Sequence, residues 1–143
     1  MRLAHIAVVT TDLERATALY ESLGYAAGPA HDVVEQYPEE AEPHRYRAAA
    51  LRPPADGRPV IWLMEPVGAA GPLARFLRTH GPGFHHLGFK TEDIAAEVSR
   101  LRQRGMTLLR EPHDFPDDRE IRALLSPREC GGVLIEVVQE RPA

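Results

Sequence analysis

The stretches "HIAVVTTDLERATALYESLGY" (residues 5–25) and "HLGFKTEDIAAEVSRLRQRGM" (residues 86–106) decide the fold, because they are two copies of one pattern. Each copy begins with a short apolar strand, continues through a cap signal into apolar residues at helical spacing, and stops at a glycine. In the first copy, Thr11 and Glu14 have the spacing of a capping box. Aligned without a gap, the copies match His5 with His86, Thr10 with Thr91, Asp12 with Asp93 and Gly24 with Gly105. The sequence therefore predicts a duplicated strand–helix unit.

Three further segments after each helix are rich in strand-forming residues and bounded by turn residues. They cover 27–34, where the strand signal is weak, 44–52 and 59–66 in the first half, and 106–110, 119–127 and 131–139 in the second. Between the halves, "GPLARFLRTHGPG" has proline at a first helical position and glycines beyond, which predicts a short helix. We therefore predict an α+β fold of two tandem βαβββ modules in a single domain, residues 1–143. Module one spans 1–70, the connecting helix 71–82 and module two 83–143.

Composition restricts the partners and the compartment. The chain has 143 residues, 43% hydrophobic and 27% charged, with a net charge of −4 from interspersed acids and bases. A basic face is missing, so nucleic acid is not an expected partner. No apolar run reaches membrane-spanning length, and the N-terminal residues show no signal-peptide pattern. The single cysteine, Cys130, fits a reducing compartment, so a cytoplasmic protein is expected.

The repeat separates the two adjacent histidines of the second copy. His86 corresponds to His5, whereas His85 has no counterpart. Neighbouring side chains on a strand point to opposite faces, so we expect His85 to be structural. Pseudo-symmetry brings the first strands of the two modules together. His5 and His86 are therefore candidate ligands at one site.

A carboxylate joins these histidines. Glu136 is the only polar residue of "VLIEVV", an apolar strand. A carboxylate rarely lies among such neighbours unless it is paired or bound to a metal. His5, His86 and Glu136 are therefore predicted to bind one divalent ion of Co, Mn, Ni, Zn or Fe.

The sequence resembles the vicinal-oxygen-chelate superfamily, which includes glyoxalases, epimerases, extradiol dioxygenases and bleomycin-resistance proteins. The resemblance rests on "HIAV" opening the first module, "HHLGF" opening the second and "GGVLIEVV" near the end. It is strongest with the methylmalonyl-CoA epimerase branch, through "MEPVG" followed by "PLARFLRTHGPGFHHLGF". It implies cupped mixed sheets around a central metal cleft, with His5, His86 and Glu136 as ligands.

The sequence departs from this branch at two positions. Aligning "VIWLM" with "LIEVV" puts Trp62 opposite Glu136, where the resemblance implies a fourth ligand. An indole nitrogen only donates, so three protein ligands would remain, with the fourth direction closed by the ring or filled by water. The glutamate base of the branch would fall at or near Ala48, on a stretch that carries no carboxylate.

Other side chains are candidates for proton transfer and substrate binding. On "HRYRAAALR" (44–52) and "REIRALL" (119–125), several side chains can transfer a proton or hold an anion. The catalytic candidates are Tyr46, His44 and Glu120, and the substrate-pocket candidates are Trp62, Arg47 and Arg122.

Three functions are compatible with these residues. The first is epimerase- or isomerase-type proton transfer on a small oxygenated substrate, such as an acyl thioester or keto acid, through a metal-stabilised enolate. The alternative is a non-haem Fe(II) dioxygenase, which uses two histidines and one carboxylate. The third is a protein that sequesters an antibiotic or metabolite. A small molecule is the expected partner in each case, and exposed sheet edges are compatible with a homodimer.

Overall fold

Nine β-strands and three α-helices follow one another in the computed structural model, which describes residues 1–55, 57–115 and 118–143. The strands are β1 (Arg2–Val9), β2 (Ala26–Ala27), β3 (His31–Glu35), β4 (His44–Arg52), β5 (Val60–Val67), β6 (Gly83–Lys90), β7 (Leu108–Phe115), β8 (Glu120–Leu125) and β9 (Leu134–Glu140). The helices are α1 (Leu13–Ser22), α2 (Pro72–His80) and α3 (Ile94–Gln103). The predicted α+β class, with parallel and antiparallel strand pairs, is confirmed.

The repeated aspartates begin the repeated helices. Asp12 precedes α1 and Asp93 precedes α3, and each carboxylate accepts a hydrogen bond from the backbone N–H three residues further on, at 3.0 and 2.9 Å. Such caps satisfy an N–H that the helix itself leaves unpaired. The predicted capping box of Thr11 and Glu14 is wrong, because residue 12 is the cap.

The segment predicted as one weak strand, 27–34, is two short strands. Both β2 and β3 pair with β4, but Gly28, Pro29 and Ala30 separate them. Proline lacks the N–H that a continuous ladder needs, so pairing stops and starts again at His31.

The strands of the second half also differ from their predicted bounds. The predicted 106–110 is the longer β7, whose pairing with β8 continues through two register shifts. The predicted 119–127 is shorter, because Pro127–Glu129 form a 3-10 turn. The predicted 131–139 begins only at Leu134, since Gly131 and Gly132 have φ of 67° and 89°, outside the strand region.

The described residues form two compact units. One, called here the N-terminal unit, is Ile6–His85; the other, the C-terminal unit, is Met1–His5 together with His86–Ala143. The first five residues thus group with the segment predicted as module two, and α2 groups with module one.

In the N-terminal unit, β4 pairs antiparallel with β2, β3 and β5. One face of these strands carries Tyr46, Ala48 and Trp62, packs against Leu73 of α2, and is called the Trp62 face. The opposite face carries Ala49, Leu51 and Leu63 and packs against Leu13 of α1.

In the C-terminal unit, β6 runs parallel to β9, and β9, β8 and β7 continue as antiparallel neighbours. Helix α3 covers the face that carries Ala123 and Val137. Because side chains alternate, Glu136 lies on the other face, together with Gly88 and Arg122. This surface is called the Glu136 face.

The helices of the described residues are short. The longest have ten residues, and none has the length and apolar character that crossing a bilayer requires.

Candidate metal centre

Three side chains of the C-terminal unit converge on one point. They are His5 from β1, His86 from β6 and Glu136 from β9, and one donor atom from each lies within 4.8 Å of the others. The sequence prediction named this set, and the structure brings it together. All three side chains keep a minor solvent exposure, 21% for His5, 10% for His86 and 14% for Glu136.

Gly88 makes this convergence possible. It is the register partner of Glu136 in the parallel β6–β9 pair, and the His5 imidazole lies directly over it. A Cβ at position 88 would stand 2.0 Å from Cε1 of His5, well inside any permitted contact. Because Gly88 has no side chain, the His5 ring can occupy this space and reach Glu136.

The separations between the donor atoms fit a single cation. His5 Nε2 lies 3.1 Å from His86 Nε2 and 3.5 Å from Glu136 Oε1, and His86 Nε2 lies 3.8 Å from the same oxygen. A point in the plane of these atoms is about 2.0 Å from each, which is close to the ~2.0–2.2 Å of bonds from zinc to imidazole and carboxylate. Two imidazoles and a carboxylate suit a divalent first-row ion and leave other coordination positions for substrate or water.

Glu120 and Arg122 lie on the same Glu136 face. Leu124 of β8 is the partner of Glu136, so Arg122 is the next residue of β8 on this face and Glu120 the one after it. Arg122 donates to Glu120 over 2.8 Å and to Asp118 over 2.5 Å. Burial raises the pKa of the Glu120 carboxyl, although the Arg122 guanidinium opposes the rise.

Arg122 is also held from one side by an aromatic ring. Its guanidinium lies 4.4 Å from the centre of the Phe115 ring, in a cation–π contact. Only 15% of its side chain is exposed. The side chain is therefore fixed in place on the Glu136 face.

The other two catalytic candidates belong to a buried cluster in the N-terminal unit. His44 Nε2 lies 3.0 Å from a carboxylate oxygen of Glu35, and Tyr46 donates to the other oxygen over 2.7 Å. Tyr37 also donates to Glu35, over 3.0 Å. His44 and Tyr46 are 3% and 5% exposed, so neither is accessible for proton transfer with a substrate.

Glu35 and Tyr37 were not among the site residues predicted from the sequence. A signal for Glu35 was present in "DVVEQY", where a carboxylate follows two valines on a strand, as Glu136 follows Leu134 and Ile135. Its three partners come from strand pairing and a loop, which the sequence does not reveal. Nδ1 of His44 has no hydrogen-bond partner among the described residues.

Arg47 and Trp62, both predicted to line the substrate pocket, lie on opposite faces of the N-terminal unit. Arg47 pairs with Glu14 of α1 and, at 3.8 Å, with Glu65, on the α1 side of the strands. The Glu14 carboxylate raises the pKa of the Arg47 guanidinium. Trp62 packs against the core on the side of α2. Arg47 is the register partner of Glu65, which is three positions from Trp62 on β5, and residues an odd number of positions apart on one strand face opposite ways. The structure therefore does not bring these two residues into one pocket.

His85 packs against α2, as expected of a structural residue. Its ring meets the edge of the Phe76 ring at 4.9 Å between centroids. Burial, together with the smaller effect of the neighbouring His80, lowers the pKa of His85 to about 4.

Comparison with known proteins adds a family and a set of relatives. The family model of the Glyoxalase/Bleomycin resistance protein/Dioxygenase superfamily matches residues 4–122. The ethylmalonyl-CoA/methylmalonyl-CoA epimerase of Cereibacter sphaeroides is 30% identical over 142 residues, covering 96% of this chain and 97% of that protein. The crystal structure of methylmalonyl-CoA epimerase from Mycobacterium tuberculosis has a TM-score of 0.77 at 29% identity, covering 98% of this chain and 88% of that one.

A further solved structure is a methylmalonyl-CoA epimerase in complex with methylmalonyl-CoA and NH4+. It has a TM-score of 0.72 at 26% identity and covers 97% of this chain and 94% of that one. The similarity to these proteins extends over nearly the whole chain, and the fold is glyoxalase-like.

Proposed function

Because this chain belongs to the glyoxalase/bleomycin resistance protein/dioxygenase superfamily, we propose that it is a metal-dependent isomerase that epimerises an acyl-CoA thioester. The observation that carries the proposal is the triangle of His5, His86 and Glu136, whose donor atoms have the separations that one cation requires. The similarity to epimerases of malonyl-type thioesters supports this class of substrate.

The three ligands would hold the ion through the Nε2 atoms of His5 and His86 and a carboxylate oxygen of Glu136. When bound, the ion supplies Lewis acidity, which makes the hydrogen beside a chelated carbonyl easier to remove. All three side chains keep a minor solvent exposure, through which a substrate would reach the ion.

Glu120 is the proton-transfer group that we favour among the three sequence candidates. His44 and Tyr46 are buried and hydrogen-bonded to Glu35, whereas Glu120 is partly exposed on the Glu136 face. The raised pKa of Glu120 brings its basicity closer to that needed for a general base near neutral pH. On β8, Arg122 lies between Glu120 and Leu124, the register partner of Glu136. From this position its guanidinium would orient an anionic part of the substrate.

The test is metal analysis combined with hydrogen exchange. Protein purified without chelators is expected to hold about one divalent ion per chain and to introduce deuterium from D2O at the α-carbon of methylmalonyl-CoA. His5→Ala, His86→Ala and Glu136→Gln should each lose both the ion and the exchange. His80→Ala, an exposed histidine on α2, is the matched control. Full metal content in His5→Ala, or no exchange by the metal-loaded protein, would contradict the proposal.

A dioxygenase is the second candidate, because the ligand set found among the described residues is two histidines and one carboxylate. It predicts bound iron and consumption of O2 with a catechol-type substrate, without deuterium exchange into a thioester. Tight ligand binding by metal-free protein would instead favour a sequestering protein.

The proposal includes a cytoplasmic location and assembly into a homodimer. Sedimentation of the metal-loaded protein tests the second point, since a single species with the mass of one 15.9 kDa chain would contradict it.

A further inference from the structure

Arg122 is held by contacts from three directions. Its Nε donates to Oε2 of Glu120 over 2.8 Å, and its Nη2 donates to Oδ2 of Asp118 over 2.5 Å. The ring of Phe115 lies 4.4 Å from the guanidinium carbon, and this ring is itself buried, with 7% exposure. On β7, the register partner of Arg122 is His113. A guanidinium is planar, so these contacts fix the direction in which its Nε–H points.

The contacts restrain one oxygen of the Glu120 carboxylate. Oε2 accepts the hydrogen bond from Arg122, whereas Oε1 accepts none from the residues that the structure describes. The Glu120 side chain keeps 26% of its surface exposed. A general base must hold its accepting atom within hydrogen-bond reach of the proton that it removes. A carboxylate with one oxygen fixed and the other available suits that task.

Arg122 is the cation among the charged groups that act on Glu120. The others are Asp118, which precedes β8, and Glu140, the register partner of Glu120 on β9. Glu140 is paired with Lys90 at 2.5 Å. Burial raises the pKa of Glu120 and these two carboxylates add to the rise, whereas Arg122 opposes it. Removing Arg122 would therefore leave the Glu120 carboxylate both unrestrained and harder to ionise.

All of these residues belong to the C-terminal unit, which also carries the candidate metal ligands. We propose that Arg122 is a positioning residue for Glu120, which holds Oε2 of the carboxylate and thereby presents Oε1 for proton transfer, with Phe115 and Asp118 as its supports. The inference rests on the proposed isomerase function, in which Glu120 exchanges the α-proton of the substrate. Arg122 does not transfer the proton itself, because a guanidinium stays protonated.

A double-mutant cycle tests whether Arg122 acts through Glu120. Arg122→Met is expected to lower kcat for deuterium incorporation into methylmalonyl-CoA by about tenfold or more, with one bound ion per chain retained. In a Glu120→Gln background the same substitution should have no further effect, because the carboxylate that Arg122 positions is absent. Arg122→Lys keeps the charge but lacks the planar fork, so it should recover only part of the rate. Arg141→Met, which removes an exposed arginine paired with Asp114, is the matched control.

Titration of the Glu120 carboxyl, followed by NMR in the metal-free protein, gives a readout that needs neither substrate nor ion. Loss of the donor to Oε2 disfavours the ionised carboxylate, so the midpoint in Arg122→Met should move to higher pH by about one unit. The midpoint in Arg141→Met should not move. The acid limb of the pH profile of kcat should move in the same direction as the titration, which a merely structural defect would not cause.

Three results would overturn the role of Arg122. The first is an unchanged titration midpoint in Arg122→Met, and the second is a further loss of rate in the Glu120→Gln background. The third is a defect confined to KM, which is the result expected if Arg122 only binds an anionic group of the substrate. No exchange by the metal-loaded wild type would refute the proposed function, whereas exchange without the titration shift would refute the positioning role alone.

Discussion

Gly88 influences the candidate metal centre as strongly as a ligand does, although it offers no side-chain atom to an ion. Any larger residue would occupy the volume of the His5 ring, since a Cβ would stand 2.0–2.3 Å from three of its atoms. The glycine has no positive φ, so its role is to leave space and not to permit an unusual backbone.

Gly88→Ala is therefore expected to displace the His5 ring and weaken metal binding by about 10- to 100-fold, the range found when the support of a metal ligand is lost. Isothermal titration with zinc or cobalt would measure the change. Gly28→Ala, where a Cβ meets only a carbonyl oxygen at 3.4 Å, is the matched control. Equal affinities for Gly88→Ala and wild type would contradict this role.

His85 should make the stability of the metal-free protein depend on pH. Its pKa of about 4 in the folded state is below the usual histidine value of 6.5, so the unfolded chain binds the proton more tightly. The contribution of neutral His85 to the free energy of unfolding is fully present above pH 6.5. It is lost as the pH falls towards 4, by up to about 3 kcal/mol. Urea unfolding in EDTA at pH 7 and pH 4.5 would measure it. His85→Leu should lose less stability over that interval than wild type, and identical losses would count against the assignment.

Individual residues were predictable from the sequence where the repeat marked them. His5 and His86 stood out because they occupy equivalent positions, and Glu136 because it interrupts an apolar strand. The Glu35 cluster was not predictable, because its partners are selected by the register between β3 and β4. For the same reason, the sequence indicated Tyr46 and His44 as catalytic candidates, whereas in the structure they are buried hydrogen-bond partners of Glu35.

At the scale of elements, the repeat extends beyond the residues that coincide in the sequence. The first N–H of α1 is bonded by the Glu65 side chain at 2.6 Å, and that of α3 by the Gln139 side chain at 2.8 Å. Glu65 lies on the last strand of module one, which contains α1, and Gln139 lies on the last strand of module two, which contains α3. Each helix is thus hydrogen-bonded at its start to a strand more than 40 residues away in the sequence. Both copies have this hydrogen bond, although its acceptor is a glutamate in one copy and a glutamine in the other.

The aspartate caps should contribute equally in the two copies. Asp12→Ala and Asp93→Ala are each expected to lower the free energy of unfolding by about 1 kcal/mol, because each leaves a helix N–H without its side-chain acceptor. Chemical denaturation would measure both losses. Glu92→Ala, an exposed acid next to Asp93, should have little effect. A loss of equal size in Glu92→Ala would indicate general charge effects in place of capping.

Elements with strong local signals were predicted well, and the others were not. The helices have apolar periodicity, aspartate caps and terminal glycines, all within a few residues. β4 was also predicted with its observed bounds, 44–52. The extent of β7 and the break between β2 and β3 depend on how far pairing with a neighbouring strand continues, which is not a local property.

At the scale of the whole molecule, metal binding should be coupled to folding. The three ligands are 81 and 50 residues apart in sequence, so an unfolded chain cannot hold them together. Free ion at 100 times its dissociation constant is therefore expected to stabilise the protein by about 2.7 kcal/mol. Thermal unfolding with and without EDTA would show the difference. Glu136→Gln should respond much less, and an equal response would place the bound ion elsewhere.

The spacing of the ligands also has a consequence for biosynthesis. His5 leaves the ribosome long before Glu136 does, so the three-ligand set is complete, and the cation can be acquired, only after Glu136 has emerged from the exit tunnel. Since imidazole and carboxylate donors bind several first-row metals in the Irving–Williams order, the ion acquired will depend on what the surrounding pool supplies at that moment. Recombinant preparations grown in media of different metal content should therefore carry different ions in the same fold.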